Sequence, residues 1–126
     1  MKRIMVIEDD KHLLEALKQT LENENYEVVT ALDGEEGLSK IRDLPCHLAI
    51  VDIILPQKEG VETIADLKRY YGETIKILAI SGGGEIEAET YLQLAMRMGA
   101  DATLDKPFHM DELKDKIDQL IGDKTT

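Results

Sequence analysis

A chain of 126 residues with 43% apolar content in periodic runs has room for one domain, not two, and is too apolar for a disordered body. Its formal charge of −11 argues against direct nucleic-acid binding, which rests on Lys and Arg neutralising phosphates; it suits cations or basic protein surfaces, and equally plain solubility. No apolar run approaches the ~18 residues that span a bilayer, and Lys2-Arg3 reaches Glu8 too soon for a secretion signal, so the expectation is a cytoplasmic protein without membrane insertion.

In chain order, residues 4–7 predict a strand that runs into Glu8-Asp9-Asp10. Leu13, Leu14, Leu17 and Leu21 form the apolar stripe of a first helix, with Asp10 placed to cap it and His12 on its surface. Residues 27–31 are a strand, β-branched at Val28, Val29 and Thr30. A short helix carrying Leu38 and Ile41 opens near Asp33, its N-cap. Cys46, alone and so without an internal disulfide, reads as a small buried thiol, and His47 as a strand-edge residue.

Residues 48–51 are another apolar strand, ending at Asp52; Pro56 and Gly60 shape the loop beyond it. Val61, Ile64, Ala65 and Lys68 mark a third helix, and residues 75–80 a fourth strand leading to Ser81 and Gly82-Gly83-Gly84. Ala88, Tyr91, Leu92, Ala95 and Met98 mark a fourth helix closed by Gly99, with Met96 and Met98 expected as core filler. Residues 102–104 are a short fifth strand before Asp105-Lys106-Pro107. The last helix starts near His109 and carries Leu113, Ile117, Leu120 and Ile121, with Lys114, Asp115, Lys116 and Asp118 on its solvated face.

Strands alternating with helices predict an α/β domain, doubly wound, with right-handed crossovers placing helices on both sides of a parallel sheet. Five strands favour the flavodoxin-like order 2-1-3-4-5 in a three-layer α/β/α arrangement with five helices. The domain is expected to occupy residues 1–121, with 122–126 a frayed tail and no output domain.

Such sheets bind ligands beyond the carboxyl ends of their strands, where the order reverses. Those ends carry Glu8 and Asp9, Asp52, Ser81, and Lys106. If the first and third strands are neighbours, three carboxylates converge. Two charges 4 Å apart cost about 4 kcal/mol at an effective dielectric near 20, so a cation is required among them. Mg²⁺ fits, since it takes one or two carboxylates and completes its shell with water and phosphate oxygens. Lys106 adds a compact positive charge. Asp10 or Asp52 alone is explained by capping or turn formation; the set on four strand ends is not.

The segments 4–10 (through Glu8-Asp9-Asp10), 51–56 with Gly60, 79–82, 98–100 and 105–108 resemble, in this order, the receiver domains of two-component response regulators, over residues 3–121. The resemblance implies a stand-alone, chemotaxis-receiver-like module or one excised from a longer regulator. It implies Asp52 as the phosphoacceptor for a histidine kinase or phosphotransfer protein, and Mg²⁺ held by Asp9 directly, Glu8 through water, Asp52 and the main-chain carbonyl of Ile54. Ser81 would bond a phosphoryl oxygen, and Lys106 would pair with Asp52 before transfer and the phosphoryl group after it. The expected partners are that donor and a downstream effector, for a monomer or weak phosphorylation-dependent dimer. Such a protein is not an enzyme in the usual sense; it catalyses only its own phosphorylation and dephosphorylation. The family's Lys-Pro bond, here Lys106-Pro107, is most often cis.

The chain departs from the family at Thr103, where a switch aromatic is usual, which implies a different coupling between Ser81 and the output face. The stretch from Ser81 to Lys106 is also longer than usual, with a glycine-rich start expected to tighten on phosphorylation. Ile54 should hinder a hydrolytic water and prolong the phospho-form. A haloacid-dehalogenase-type phosphatase would need a second acid where Ile54 stands, and a flavin carrier would need a phosphate loop where Glu8-Asp9-Asp10 stand. A degenerate receiver, binding partners without phosphorylation, is the alternative.

Overall fold

The apolar runs become the inner strands of one parallel sheet in a computed structural model that describes residues 1–53, 60–81 and 88–122, without the side chains of 88–92. In chain order the elements are β1 (Arg3–Ile7), α1 (Lys11–Asn23), β2 (Glu27–Ala31), α2 (Gly34–Asp43), β3 (Leu48–Asp52), α3 (Gly60–Tyr71), β4 (Lys76–Ser81), α4 (Ala88–Met98), β5 (Ala102–Asp105) and α5 (Met110–Ile121), with a 3₁₀ turn at Gly72–Thr74. The strand order is β2-β1-β3-β4-β5, all parallel, as expected of the doubly wound class. Three strands run further at their carboxyl ends than hydrophobicity alone indicated, because ladder pairing continues into polar residues: β3 includes Asp52, and Ser81 pairs in register with Asp105.

Side-chain alternation divides the core in two. Met5, Ile7, Ala49, Val51, Ile77 and Ala79 face α2, α3 and α4 through Ile41, Ile64, Leu67 and Ala95. Ile4, Val6, Leu48, Ile50, Leu78 and Ile80 face α1 and α5 through Leu17, Leu21, Leu113, Ile117 and Ile121. Each fully buried Ile or Leu contributes on the order of 1.5–3 kcal/mol, so the central strands β1, β3 and β4 anchor the molecule.

Caps fix where helices start. Asp10 accepts hydrogen bonds from the backbone N–H groups of His12 (3.0 Å) and Leu13 (3.3 Å). Asp33 accepts from Glu36 N (2.8 Å), while Glu36 Oε1 accepts from Leu32 N (2.7 Å). The Leu32 bond, and then Lys40, hold the Glu36 carboxyl below its ordinary range. At α5, Glu112 Oε1 accepts from His109 N (3.1 Å). Gly99 ends α4 at φ +127°, where its lack of a Cβ also makes room for the Lys68 stem. Lys68 Nζ lies 3.5 Å from Asp101 Oδ2, which accepts from Ile77 N at 2.8 Å and so ties α3 and β4 to the approach to β5.

Cys46 is buried, with Sγ 3.2 Å from Leu44 O, and burial pushes its thiol up to about 11, that of an inert core residue. His12 and His47 are exposed. Met96 and Met98, expected in the core, are 48% and 38% exposed. The described inward position of α4 is Ala95, and at 100° per residue Met96 and Met98 fall to either side of it. Pro56 and the Gly82-Gly83-Gly84 run lie outside the described residues, as do 123–126 of the tail; Gly122 N donates to Asp118 O at 2.9 Å. Among the described residues no helix is long and apolar enough to cross a membrane.

Candidate functional site

Register and alternation assemble an acidic pocket at the carboxyl ends of the strands. Ile7 pairs with Val51, so Glu8 and Asp52, the next residue on each strand, stand side by side where the strand order reverses. Two-residue periodicity also puts both on the side of the sheet that carries Val6 and Ile50, beneath α1 and α5. Glu8 is fully buried and Asp52 is 4% exposed, while Asp9, one residue further on, is exposed. Carboxylate oxygens of Glu8, Asp9 and Asp52 lie within 4.8 Å of one another.

Lys106 completes the group. Its backbone N–H donates to Ser81 O at 2.7 Å, extending the β4–β5 ladder by one bond beyond Asp105. The same alternation that points Leu104 toward α5 points Lys106 to that side, and its side chain spans the end of β4 to reach the carboxylates. Nζ lies 2.8 Å from Glu8 Oε1 and 3.0 Å from Asp52 Oδ2. The Lys106-Pro107 peptide is cis.

Burial raises the Glu8 carboxyl to about 7, against the bond from Lys106; the nearby Asp52 charge adds to the rise. For Lys106, burial lowers the pKa, but the Glu8 and Asp52 carboxylates outweigh it and the net direction is upward. Asp10 N donates to Glu8 Oε2 at 3.1 Å. Oε1 has the ammonium beside it as an ion-pair partner but accepts no well-aligned hydrogen bond. Three carboxylates whose oxygens lie within 4.8 Å of one another form an all-oxygen donor set, which fits a hard divalent cation such as Mg²⁺.

Of the predicted site residues, the structure thus gathers Glu8, Asp9, Asp52 and Lys106. Ser81 is buried at the end of β4, beside β3, through the pairing of Asp52 with Ile80. Alternation puts it on the face shared with Ala79 and Thr103, the half-buried β5 residue paired with Ala79. Ile54 lies outside the described residues.

One contributor was undervalued in the sequence. Gly60, read there as ordinary turn chemistry, is buried at the first position of α3 and donates its N–H to Ile53 O at 3.1 Å. A Cβ there would overlap the carbonyl oxygen of Asp52 and Cα of Ile53. The glycine therefore lets α3 close directly against the backbone of Asp52. Its spacing from Asp52 was the only available signal, and spacing alone does not reveal a backbone contact.

Residues 4–118 match the model of the response regulator receiver domain family. The transcriptional regulatory protein CpxR of Escherichia coli (strain K12) is 32% identical over 121 residues, covering 96% of this chain and 50% of that protein. A probable transcriptional regulatory protein of Picosynechococcus sp. (strain ATCC 27264 / PCC 7002 / PR-6) is 38% identical over 126 residues, covering 94% of this chain and 49% of that protein. The chain spans about half the length of these curated relatives. Among solved structures, a CheY-like response regulator receiver domain protein from Methanospirillum hungatei JF-1 superposes with a TM-score of 0.85 at 34% identity, covering 94% of this chain and 92% of that one.

Proposed function

Because this chain belongs to the response regulator receiver domain family of two-component signalling, we propose that it accepts a phosphoryl group on Asp52 from a histidine kinase or phosphotransfer protein. The observation that carries this reading is the group of three carboxylates with the Lys106 ammonium 2.8 and 3.0 Å from Glu8 and Asp52. Phosphoryl transfer asks for positioning and charge stabilisation more than for covalent work by further side chains. A carboxylate is a competent nucleophile for it.

An Asp52 carboxylate oxygen forms the new P–O bond as the P–N bond of the donor phosphohistidine breaks. The electron pair leaves with the imidazole nitrogen, which takes a proton from solvent. Lys106, bridging Glu8 and Asp52 beforehand, shifts to the phosphoryl oxygens afterwards. The Ser81 hydroxyl donates to another phosphoryl oxygen, and that movement, shared with the Thr103 face, changes the surface a downstream effector reads. Glu8, Asp9 and Asp52 would hold Mg²⁺ with the carbonyl of Ile54, and the ion supplies positive charge to the transferring oxygens.

In this reading residues 1–121 are the signalling unit, working in the cytoplasm without turnover of a separate substrate. Intact mass after incubation with acetyl phosphate and Mg²⁺ tests it: one phosphoryl group added to the wild type and none to Asp52→Asn. No uptake by the wild type would turn the reading toward a phosphorylation-independent interaction module.

A further inference from the structure

Away from the acidic pocket, α2 and α3 enclose an open cleft of about 520 Å³ lined by Glu35, Leu38, Ser39, Arg42, Tyr70 and Tyr71. Tyr71 and Leu38 form its half-buried floor against the core, while Tyr70 stands 67% exposed, its ring in a T-shaped contact with that of Tyr71. An exposed tyrosine beside an apolar floor has the amphipathic character that association surfaces favour.

The charges on the α2 wall decide what fits. Glu36 and Lys40 satisfy each other within the helix at 2.9 Å. Glu35 and Arg42 have no ion-pair partner among the described residues. They sit one heptad apart, about 10.5 Å along the axis, at opposite ends of the cleft wall and with opposite sign. The helix dipole favours an acid early and a base late, so the order of the signs alone carries nothing. Their placement on either side of Leu38 and Ser39 does. The midpoint of residues 35 and 42 falls between those two, so a twofold axis there sets Glu35 of each copy against Arg42 of the other.

We propose that this cleft is a self-complementary contact between two copies of the chain, with α2 antiparallel to α2 and Tyr70 covered on each side. A symmetric pair needs one surface that complements itself, which this one does. The chain's charge of −11 opposes indiscriminate association, so the two Glu35–Arg42 pairs also select the register. Neither residue is among those that form the acidic pocket, so the contact forms without Mg²⁺ or phosphoryl transfer.

Sedimentation velocity over a micromolar to near-millimolar range, without Mg²⁺ or phosphodonor, tests this. The wild type should show a monomer–dimer equilibrium. Glu35→Arg or Arg42→Glu alone makes both cross-pairs repulsive and should weaken association about tenfold or more. An equimolar mixture of the two variants restores both pairs in the heterodimer and should return association to near the wild-type level, as should the double variant. Tyr70→Asp should abolish it, with circular dichroism confirming the fold in each case. A wild type that stays monomeric throughout, or reversals without effect, or a mixture that fails to reassociate, overturns the proposal.

Discussion

Lys106 Nζ sits 2.8 Å from an oxygen of Glu8, a carboxylate with no solvent exposure, and this single ammonium also lies 3.0 Å from Asp52. Its removal leaves two buried carboxylates facing each other. Breaking a buried pair from one side costs about 3–5 kcal/mol, and because Lys106 is itself 21% exposed we place Lys106→Met at about 2 kcal/mol. Urea unfolding at pH 8 reads this directly. The loss should shrink when Mg²⁺ is added.

Stability should fall as pH rises from about 4.5 to 7. The unfolded Glu8 carboxyl loses its proton near 4.5, whereas the folded one, raised by burial, keeps it to about 7. Between those values the folded state holds the extra proton, so the slope of unfolding free energy with pH is negative. The full interval corresponds to at most about 3 kcal/mol, less where Lys106 compensates. Lys106, raised from 10.5, contributes below that value and loses its contribution only at higher pH. Glu36, lowered from 4.5, loses its contribution only as pH falls below that value, so neither masks the trend. Chemical denaturation across this range should show the slope in the wild type, and Glu8→Gln should flatten it.

Mg²⁺ should stabilise the fold by linkage, about 1.4 kcal/mol at ten times its dissociation constant, and EDTA should reverse this. Glu8→Gln and Asp9→Asn should each weaken the effect. Protons compete for Glu8, so the thermal shift at fixed Mg²⁺ should be larger at pH 8 than at pH 6. An equal shift at both pH values would exclude Glu8 from the metal's surroundings.

Most of this pocket was legible beforehand because parallel strands are simple: a run apolar on every position ends where its polar residue begins, and register does the rest. Glu8 and Asp52 each follow such a run, and Lys106 comes two residues after the shorter run 102–104, so strand order predicted their meeting. Asp10 and Asp33 were legible as caps because capping depends on local spacing. Met96 and Met98 were misread because helical periodicity does not say how narrow the buried line is when a small residue, Ala95, lies at its centre. The contact of Gly60 with the Asp52 backbone was hidden because it depends on how closely a helix approaches a strand end, which no linear pattern encodes.

Ile54 lies outside the described residues, and the expectation for it rests on the sequence and the family resemblance. If Asp52 carries the phosphoryl group, a branched apolar side chain two positions after it should obstruct a hydrolytic water. Ile54→Asn should therefore shorten the phospho-form several-fold, measured by intact mass after removal of acetyl phosphate. An unchanged lifetime would rule this out.

Gly60→Ala separates packing at Asp52 from glycine's conformational freedom. A methyl at residue 60 meets Asp52 and Ile53 backbone atoms, which cannot swing aside as a side chain does, so α3 must withdraw or the end of β3 must bend. Overpacking of this kind costs about 1–3 kcal/mol, and it displaces the strand end that aims Asp52. Both stability and the rate of phosphoryl uptake from acetyl phosphate should therefore fall. Gly72→Ala is the matched comparison: at φ +56° it pays left-handed strain of about 1–2 kcal/mol, but nothing lies within 4 Å of the added methyl. Gly72→Ala should lower the unfolding midpoint while leaving the uptake rate at the wild-type value. If the two variants lose uptake equally, global stability governs the rate, and the closeness of Gly60 to Asp52 has no part in aiming the carboxylate.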